Sequence, residues 1–458
     1  MKKKAAFRRN TIVTIIVAML CFSCVFAAAF VDGNNANFDG KLKFTAGGSL
    51  TVTLKTHAST PTIAGYSGSG DTRTTSAAAG GEALPRPADF TSGGATFTFV
   101  NWLTTTGAIT TTVQAANDTY TASWRADVGS GAALKAAENK YVREINITQD
   151  IILDANPTVT SVMIAGGEGQ PSTDNVFFQA LAPVKIIGND HVIAANVTGT
   201  NSAGICNTSP SMYILFYAGT SGTLDISNLT LYGGGKQALA VYNSTATMTN
   251  CTASRCGSST YGGGAIVVST NGKFKASKCN FKRNVARYGG AILITGQKDM
   301  SEASNSGSTA LLESCVLNEN RNVNIGQTGG GAMEINNFSK LYFVNSTLSN
   351  NQSTEIGGGV NTGKKAEIFV INSTVTGNVT YGTDVISFGG GLGMNEGKIH
   401  VYNSIINNNY HCTSGGNVTQ CDIGLYGGSS ATLDAHNSII GSVYSGTSST
   451  NVTSTYTG

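Results

Sequence analysis

The stretch Lys278-Cys279-Asn280-Phe281-Lys282-Arg283-Asn284-Val285-Ala286-Arg287-Tyr288-Gly289-Gly290-Ala291-Ile292 contains two signals that recur down the chain. The first is a polar residue followed by a small one. It appears as Asn250-Cys251, Lys278-Cys279, Ser314-Cys315, Asn345-Ser346, Asn372-Ser373, Asn403-Ser404 and Asn437-Ser438, in steps of 28, 36, 31, 27, 31 and 34 residues. Unequal steps of this size describe a fixed structural turn that carries loops of variable length. Five positions after the small residue lies another column: Cys256, Asn284, Asn320, Asn351, Asn378 and Asn409. The second signal falls between copies of the first and is glycine-rich: Gly262-Gly263-Gly264-Ala265-Ile266, Gly289-Gly290-Ala291-Ile292, Gly329-Gly330-Gly331-Ala332-Met333, Gly357-Gly358-Gly359-Val360 and Gly389-Gly390-Gly391-Leu392.

The segments between these signals read as strands. In Lys398-Ile399-His400-Val401 apolar and polar residues alternate, and Ile368-Phe369-Val370-Ile371 is a short β-branched and aromatic run. Strands this short cannot bury a face alone, but coils stacked on one another share a continuous core. Parallel stacking places like residues above like. Asn284, Asn320, Asn351, Asn378 and Asn409 are therefore expected to hydrogen-bond from coil to coil. Gly264, Gly290, Gly331, Gly359 and Gly391 are expected to align at turns that need positive φ or leave no room for a Cβ. Seven coils at ~4.8 Å each make a rod of at least ~34 Å.

The pair Phe281-Lys282-Arg283-Asn284 and Gly289-Gly290-Ala291-Ile292 resembles the FxxN and GGA(I/L/V) repeats of the chlamydial polymorphic outer-membrane proteins, which are similar in turn to the right-handed parallel β-helix, or pectin-lyase-like, superfamily. Only this copy is complete. Elsewhere Leu317, Leu348, Val375 and Ile406 take the Phe position, each three residues before an Asn, and Gly-Gly-Ala recurs at Ala265 and Ala332. The resemblance covers about residues 140–458. It implies an all-β fold, a right-handed parallel β-helix solenoid, and an exported autotransporter passenger at the cell surface that is adhesive in several family members. The translocating barrel of that family has no counterpart here, so membrane association is expected only through a barrel absent from this chain.

Working outward, residues 1–29 combine Lys2, Lys3, Lys4, Arg8 and Arg9, an apolar run over 12–26, and Ala27-Ala28-Ala29. That is the layout of a signal peptide cleaved before Phe30, and it places the mature protein outside the cell or on the outer-membrane surface. Residues 30–139, rich in Thr, Gly and Ala, contain strand-like runs such as Leu50-Thr51-Val52-Thr53-Leu54. They are expected to form an N-terminal β-rich cap, because an end coil needs cover against edge pairing. Repeats are expected over 140–458.

Composition agrees with an all-β chain. Charged residues are only 12% and glycines number 57, whereas helix surfaces are usually covered by Glu, Lys, Arg and Gln. The formal charge of +3 comes from the N-terminus; beyond residue 29 there are 24 basic and 26 acidic residues, which leaves no footprint for nucleic acid. Seven cysteines follow the signal segment. Cys412 and Cys421 bracket the polar loop 413–420 and are the expected disulfide.

Catalytic chemistry on this fold needs paired carboxylates, or several beside a basic group, in one column. Glu334 follows one glycine block, but the equivalent places read Val267, Leu293, Thr362 and Met394; Glu355 and Asp384 fall in loops. Arg255, Arg283, Arg287 and Arg321 have no matching acidic column. Asp190 and His191 are adjacent, so on a strand they would face opposite sides. His400, His411 and His436 share no spacing. No catalytic residue, metal site or cofactor is therefore expected. The glycine triplets lack the Lys-Ser/Thr of a phosphate loop. Tyr261, Tyr288, Tyr381, Phe388 and Tyr426, just ahead of the glycine blocks or near them, are the aromatics placed to stack on sugars or to pack over the turns. The expectation is a non-catalytic adhesin or structural binding rod whose partner is a host or cell-surface receptor or glycan. A polysaccharide lyase or glycoside hydrolase on the same fold is the alternative.

Overall fold

In the computed structural model of the chain, residues 50–451 are described apart from 79–80, 115–117, 165–171, 196, 201–205, 209–212, 297–306, 324–328, 355, 382–388, 414, 427–430 and 446–449. The expected signal peptide lies outside the described residues, as do Glu355, Asp384 and Phe388.

One coil shows how the sequence makes the turn. Strand Lys273–Ser277 runs into Lys278, whose φ of 55° bends the chain, and Cys279 turns inward. Asn280–Lys282 follows, Arg283 bends the chain again at φ 57°, and Asn284 turns inward before the short strand Val285–Ala286. A glycine turn then leads to Ile292–Thr295. The first bend recurs at Asn250, Ser314, Asn345, Asn372, Asn403 and Asn437, all with φ between 48° and 55°. The polar residue of each sequence pair is thus a left-handed corner. Asn fills it most often because its short polar side chain tolerates that conformation better than others do.

Successive coils pair in parallel and in register. Lys273–Ser277 lies on Thr309–Glu313, which lies on Lys340–Val344, then Glu367–Ile371, Lys398–Tyr402 and Thr432–His436. The strands after the glycine turns make a second sheet of twelve, and the short strands such as Val285–Ala286 belong to a third of six. The chain is a right-handed parallel β-helix with these sheets as its walls. Its interior is packed by complementary sizes. Phe274 lies between Ala246 and Ala310, and Ala276 between Met248 and Leu312, all at most 3% exposed. Each such large apolar side chain contributes roughly 1.5–3 kcal/mol by leaving water.

Two polar ladders run inside this wall. The Asn284 side chain donates to Asn320 Oδ1 at 3.0 Å, Asn320 to Asn351 at 2.9 Å, Asn351 to Asn378 at 2.8 Å and Asn378 to Asn409 at 2.9 Å. Each amide also donates to a main-chain carbonyl of the preceding coil, as Asn320 does to Phe281 at 2.9 Å. All five are fully buried. Their satisfaction is obligatory, since a buried amide without partners costs about 1–3 kcal/mol. The other ladder uses the small residues: the main-chain N–H groups of Cys315, Ser346, Ser373 and Ser404 each donate to the Ser hydroxyl of the next coil at 2.9–3.1 Å.

The glycine column differs from the expected one by a residue. Ile266, Ile292, Met333, Val360 and Leu392 are in register, so Gly359 and Gly391 sit beside Ala265, Ala291 and Ala332. The column under Gly264, Gly290 and Gly331 continues through Gly358 and Gly390. A Cβ on Gly331 would lie 1.9 Å from the Gly358 carbonyl oxygen, so glycine is required there. The neighbouring column holds alanine in the earlier coils and glycine at Gly359 and Gly391, where a Cβ would come within 2.7 Å of a carbonyl oxygen, which is why the last two triplets appear shifted in sequence. The same shift moves the column of Glu334 from Thr362 and Met394 to Asn361 and Gly393.

The N-terminal described region is built differently. Ala95–Leu103 pairs antiparallel with Thr119–Val128, and Leu50–Lys55 antiparallel with Thr72–Ala78. Aromatic packing holds it: Phe90 stacks on Phe97 at 4.8 Å, and Trp124 meets Phe90 edge-on at 5.0 Å and Phe99 at 5.5 Å. Thr119–Val128 then runs parallel to Val142–Ile147, which pairs parallel with Val184–Ala194, so this region is continuous with the first wall of the helix.

Candidate functional site

The expected disulfide between Cys412 and Cys421 is not formed. Tyr410–Cys412 and Val418–Gln420 form an antiparallel hairpin that sets Cys412 opposite Val418, while the Cys421 N–H donates to the Asn409 carbonyl. The two cysteines are thus three rungs apart, roughly 10 Å along the strands and beyond the reach of an S–S bond. Burial pushes the Cys421 thiol up to about 12, which withholds the thiolate that exchange requires.

The hairpin has another consequence. Because it returns the chain beside Asn409, Asp422 takes the next place in the amide ladder: its Oδ1 accepts from the Asn409 side chain at 2.8 Å and from the Asn409 main chain at 2.9 Å. The carboxylate is fully buried and its Oδ2 accepts from Gln420 at 2.8 Å and Ser442 at 3.0 Å. Sequence reading passed over Asp422 because the inserted hairpin breaks the period. Glu334, also fully buried, accepts from the Gly330 N–H at 2.9 Å, from Asn336 at 2.6 Å and from Asn361 at 2.9 and 3.0 Å. These two acids are structural acceptors inside the wall, well shaped to hold amides and turned away from solvent.

Other charges group more closely than the sequence spacing indicates. Glu319 stands over Arg283, Oε2 to Nε at 2.5 Å, so that arginine does have an acid in its column. His191 meets Asp150 of the neighbouring coil at 3.1 Å rather than Asp190. His400 and His436, whose spacing suggested no relation, share one carboxylate: His400 Nδ1 lies 3.3 Å from Asp434 Oδ2 and His436 Nε2 lies 2.8 Å from Asp434 Oδ1. The Tyr402 hydroxyl donates to Asp434 at 2.7 Å and, with both histidines, holds its carboxyl below the usual carboxylate range. His411 is instead buried, its Nδ1 2.9 Å from the Thr380 hydroxyl. Among the described residues no group of three or more His, Cys, Asp or Glu could hold a metal ion.

Along the same wall Tyr342 stacks on Phe369 at 4.8 Å with planes 8° apart, and Phe369 on His400 at 4.5 Å and 6°. These rings cover each other's faces and show solvent only their edges. They extend the ladder outside the wall and leave no open ring face for a sugar in the middle of the stack.

The expected sugar-stacking tyrosines divide into used and available rings. Lys236 lies 3.9 Å from the Tyr261 ring centroid, but this lysine is buried and ion-paired with Asp174, so the pair is a clamp. Arg287 covers Tyr288 at 5.1 Å. Tyr381, 42% exposed, instead lines an open cleft of about 290 Å³ with Arg321, Asn322, Gln352, Ser353 and Thr354. The cleft lies on the third wall: Arg321, Gln352 and Val379 are in register there, so Arg321 and Tyr381 stand two coils apart. Its floor is fixed from behind. Asn322 and Ser353 are buried, the Thr354 hydroxyl donates to Asn322 Oδ1 at 3.0 Å, and the Ser353 hydroxyl donates to the Gly329 carbonyl at 2.5 Å. Arg321 and Gln352 are exposed. Burial pushes the Tyr381 phenol up, and the Arg321 charge opposes that rise. Among the described residues no acid pairs with Arg321 and none lines the cleft.

A second open cleft, of about 400 Å³, is lined by Asn243, Ser244, Thr245, Asn271, Lys273, Gly307 and Thr309 and contains no aromatic ring. Tyr426 is 37% exposed near the end of the second wall. No described helix is long and apolar enough to cross a membrane, which says nothing of a β-barrel.

No family model matches the chain, and no curated protein matches it. Among solved structures it is similar to tailspike protein 3 of bacteriophage CBA120, at 12% identity and a TM-score of 0.31, over 69% of this chain and 55% of the tailspike. The chain therefore spans little more than half the length of that protein.

Proposed function

We propose that this chain is an exported, non-catalytic β-helical rod, of the kind found as passengers of the polymorphic outer-membrane proteins, that binds a cell-surface receptor or glycan through the cleft between Arg321 and Tyr381. Residues before about 139 cap the rod. The observation that carries this reading is an exposed cation and an exposed ring on a floor locked by Asn322, Ser353 and Thr354. A rigid floor lowers the ordering cost of binding. Three acids of the described solenoid are engaged in structural contacts: Glu334 and Asp422 with buried amides, Asp434 with two histidines and a tyrosine.

Two measurements test the proposal. The secreted protein should begin at Phe30 when sequenced from its N-terminus. The purified mature chain should bind host-type glycans or cells without generating new reducing ends or unsaturated products from a panel of acidic and neutral polysaccharides. Depolymerisation that one Asp or Glu substitution abolishes would establish the lyase or hydrolase alternative instead.

A further inference from the structure

Resting on that reading, the geometry points to an acidic sugar chain as the occupant of the cleft: we infer that Arg321 anchors the carboxylate of one sugar unit while Tyr381 stacks on the ring of the next. Among the described residues Arg321 is the only charged side chain lining the cleft, it is exposed, and no acid neutralises it. A guanidinium offers two parallel N–H donors that match a carboxylate fork. The remaining lining is neutral and polar: Asn322, Gln352, Ser353 and Thr354 offer amides and hydroxyls, the partners that sugar hydroxyls use.

Size and spacing narrow the ligand further. At about 290 Å³ the cleft is at the small end of ligand sites, which run ~300–1,000 Å³, and accommodates one or two pyranose rings. Arg321 and Tyr381 are separated by two coil spacings, roughly 9–10 Å, and by two residues along the strand, roughly 7 Å, which together make ~12 Å between their backbones. That separation exceeds one sugar ring, so the carboxylate and the stacked ring belong to neighbouring units of a chain running obliquely across the coils. A tyrosine with one free face suits the apolar side of a pyranose. A lone inorganic phosphate would use Arg321 and leave the ring idle.

The test uses the intact mature chain and four probes: a hyaluronan hexasaccharide, its carboxyl-reduced counterpart, 3′-sialyllactose and lactose. Calorimetric titration should show at least a tenfold preference for one acidic probe over its neutral counterpart. Arg321→Met should remove that preference, Arg321→Lys should restore part of it, and Tyr381→Ala should weaken acidic and neutral probes alike. Equal binding of acidic and neutral probes, or acidic binding that Arg321→Met leaves intact, overturns the inference while the rod reading stands. If none of the four binds, the inference falls, and an unreactive wider glycan and cell panel would take the proposed function with it. Both side chains are on the surface, so the far-ultraviolet spectrum should match wild type in every variant.

Discussion

The two ends of the described chain solve the problem of register in different ways. In residues 50–128 antiparallel strands are locked by a cluster of rings, with Trp124 fully buried against Phe90 and Phe99 and its indole N–H donating to Thr56 at 3.2 Å. In the coils from Thr245–Thr249 onward the buried side chains are smaller, and amides and hydroxyls do the locking. Rings fill space and forgive small shifts along a strand. A ladder of buried amides does not, because a slip of one residue would turn every Asn outward and leave main-chain groups unpaired. The solenoid therefore takes its precision from polar groups that most cores avoid.

The sharpest break of this comparison is Asn320→Ala. It strands the Asn284 N–H and the Phe281 carbonyl and takes one partner from the Asn284 and Asn351 side chains, which should cost roughly 3–6 kcal/mol, read as a lower urea midpoint. Trp124→Ala should cost about 3–5 kcal/mol, but hydrogen exchange should show the loss concentrated before residue 150, because coils in a stack couple mainly to their neighbours. A milder effect is expected outside the wall. Glu367 lies 2.9 Å from Lys340 and 3.8 Å from Lys398, and these cations hold its carboxyl below its ordinary value. Its stabilising contribution is present above that ordinary value, ~4.3, and is lost as pH falls through the lower folded value. The two partly exposed pairs together contribute about 1 kcal/mol, so the drop in urea midpoint between pH 7 and pH 3 should be slightly smaller in Glu367→Gln. The smallest change should be Cys315→Ser, within a few tenths of a kcal/mol by the same denaturation, since Ser346, Ser373 and Ser404 already occupy the corresponding corner in later coils.

What could be read in advance follows from which residues the geometry makes unique. The Asn ladder was legible in the sequence because an amide both gives and accepts between buried coils, which few other side chains do; the corner residues recurred as a motif, but their positive φ was not foreseen. The glycine register was not legible, because Ala265, Ala291 and Ala332 fill in the earlier coils the place that Gly359 and Gly391 take in the later ones. The pairing of Asp434 with His400 and His436 was hidden because proximity across coils depends on the length of the intervening loop. The Arg321 cleft combines residues from three coils, and of these only Tyr381 was singled out as a ring with a possible ligand.

The amide ladder has a sense of direction. From the Cys256 N–H through Asn409, every rung gives its main-chain N–H, and each Asn one of its amide hydrogens, to the side chain of the next coil, and the row of amides stops at Asp422, whose carboxylate can receive but has none to give in return. Such a row can be lengthened or shortened by whole coils anywhere between those two residues without changing its logic, whereas after Asp422 no amide carries it on and the link to the next coil passes to the Asp422 N–H, which donates to the Ser442 hydroxyl at 2.9 Å. Duplication and deletion during evolution, or deliberate engineering of rods of chosen length, should therefore be tolerated upstream of that residue, whereas coils added beyond it need a different side-chain link.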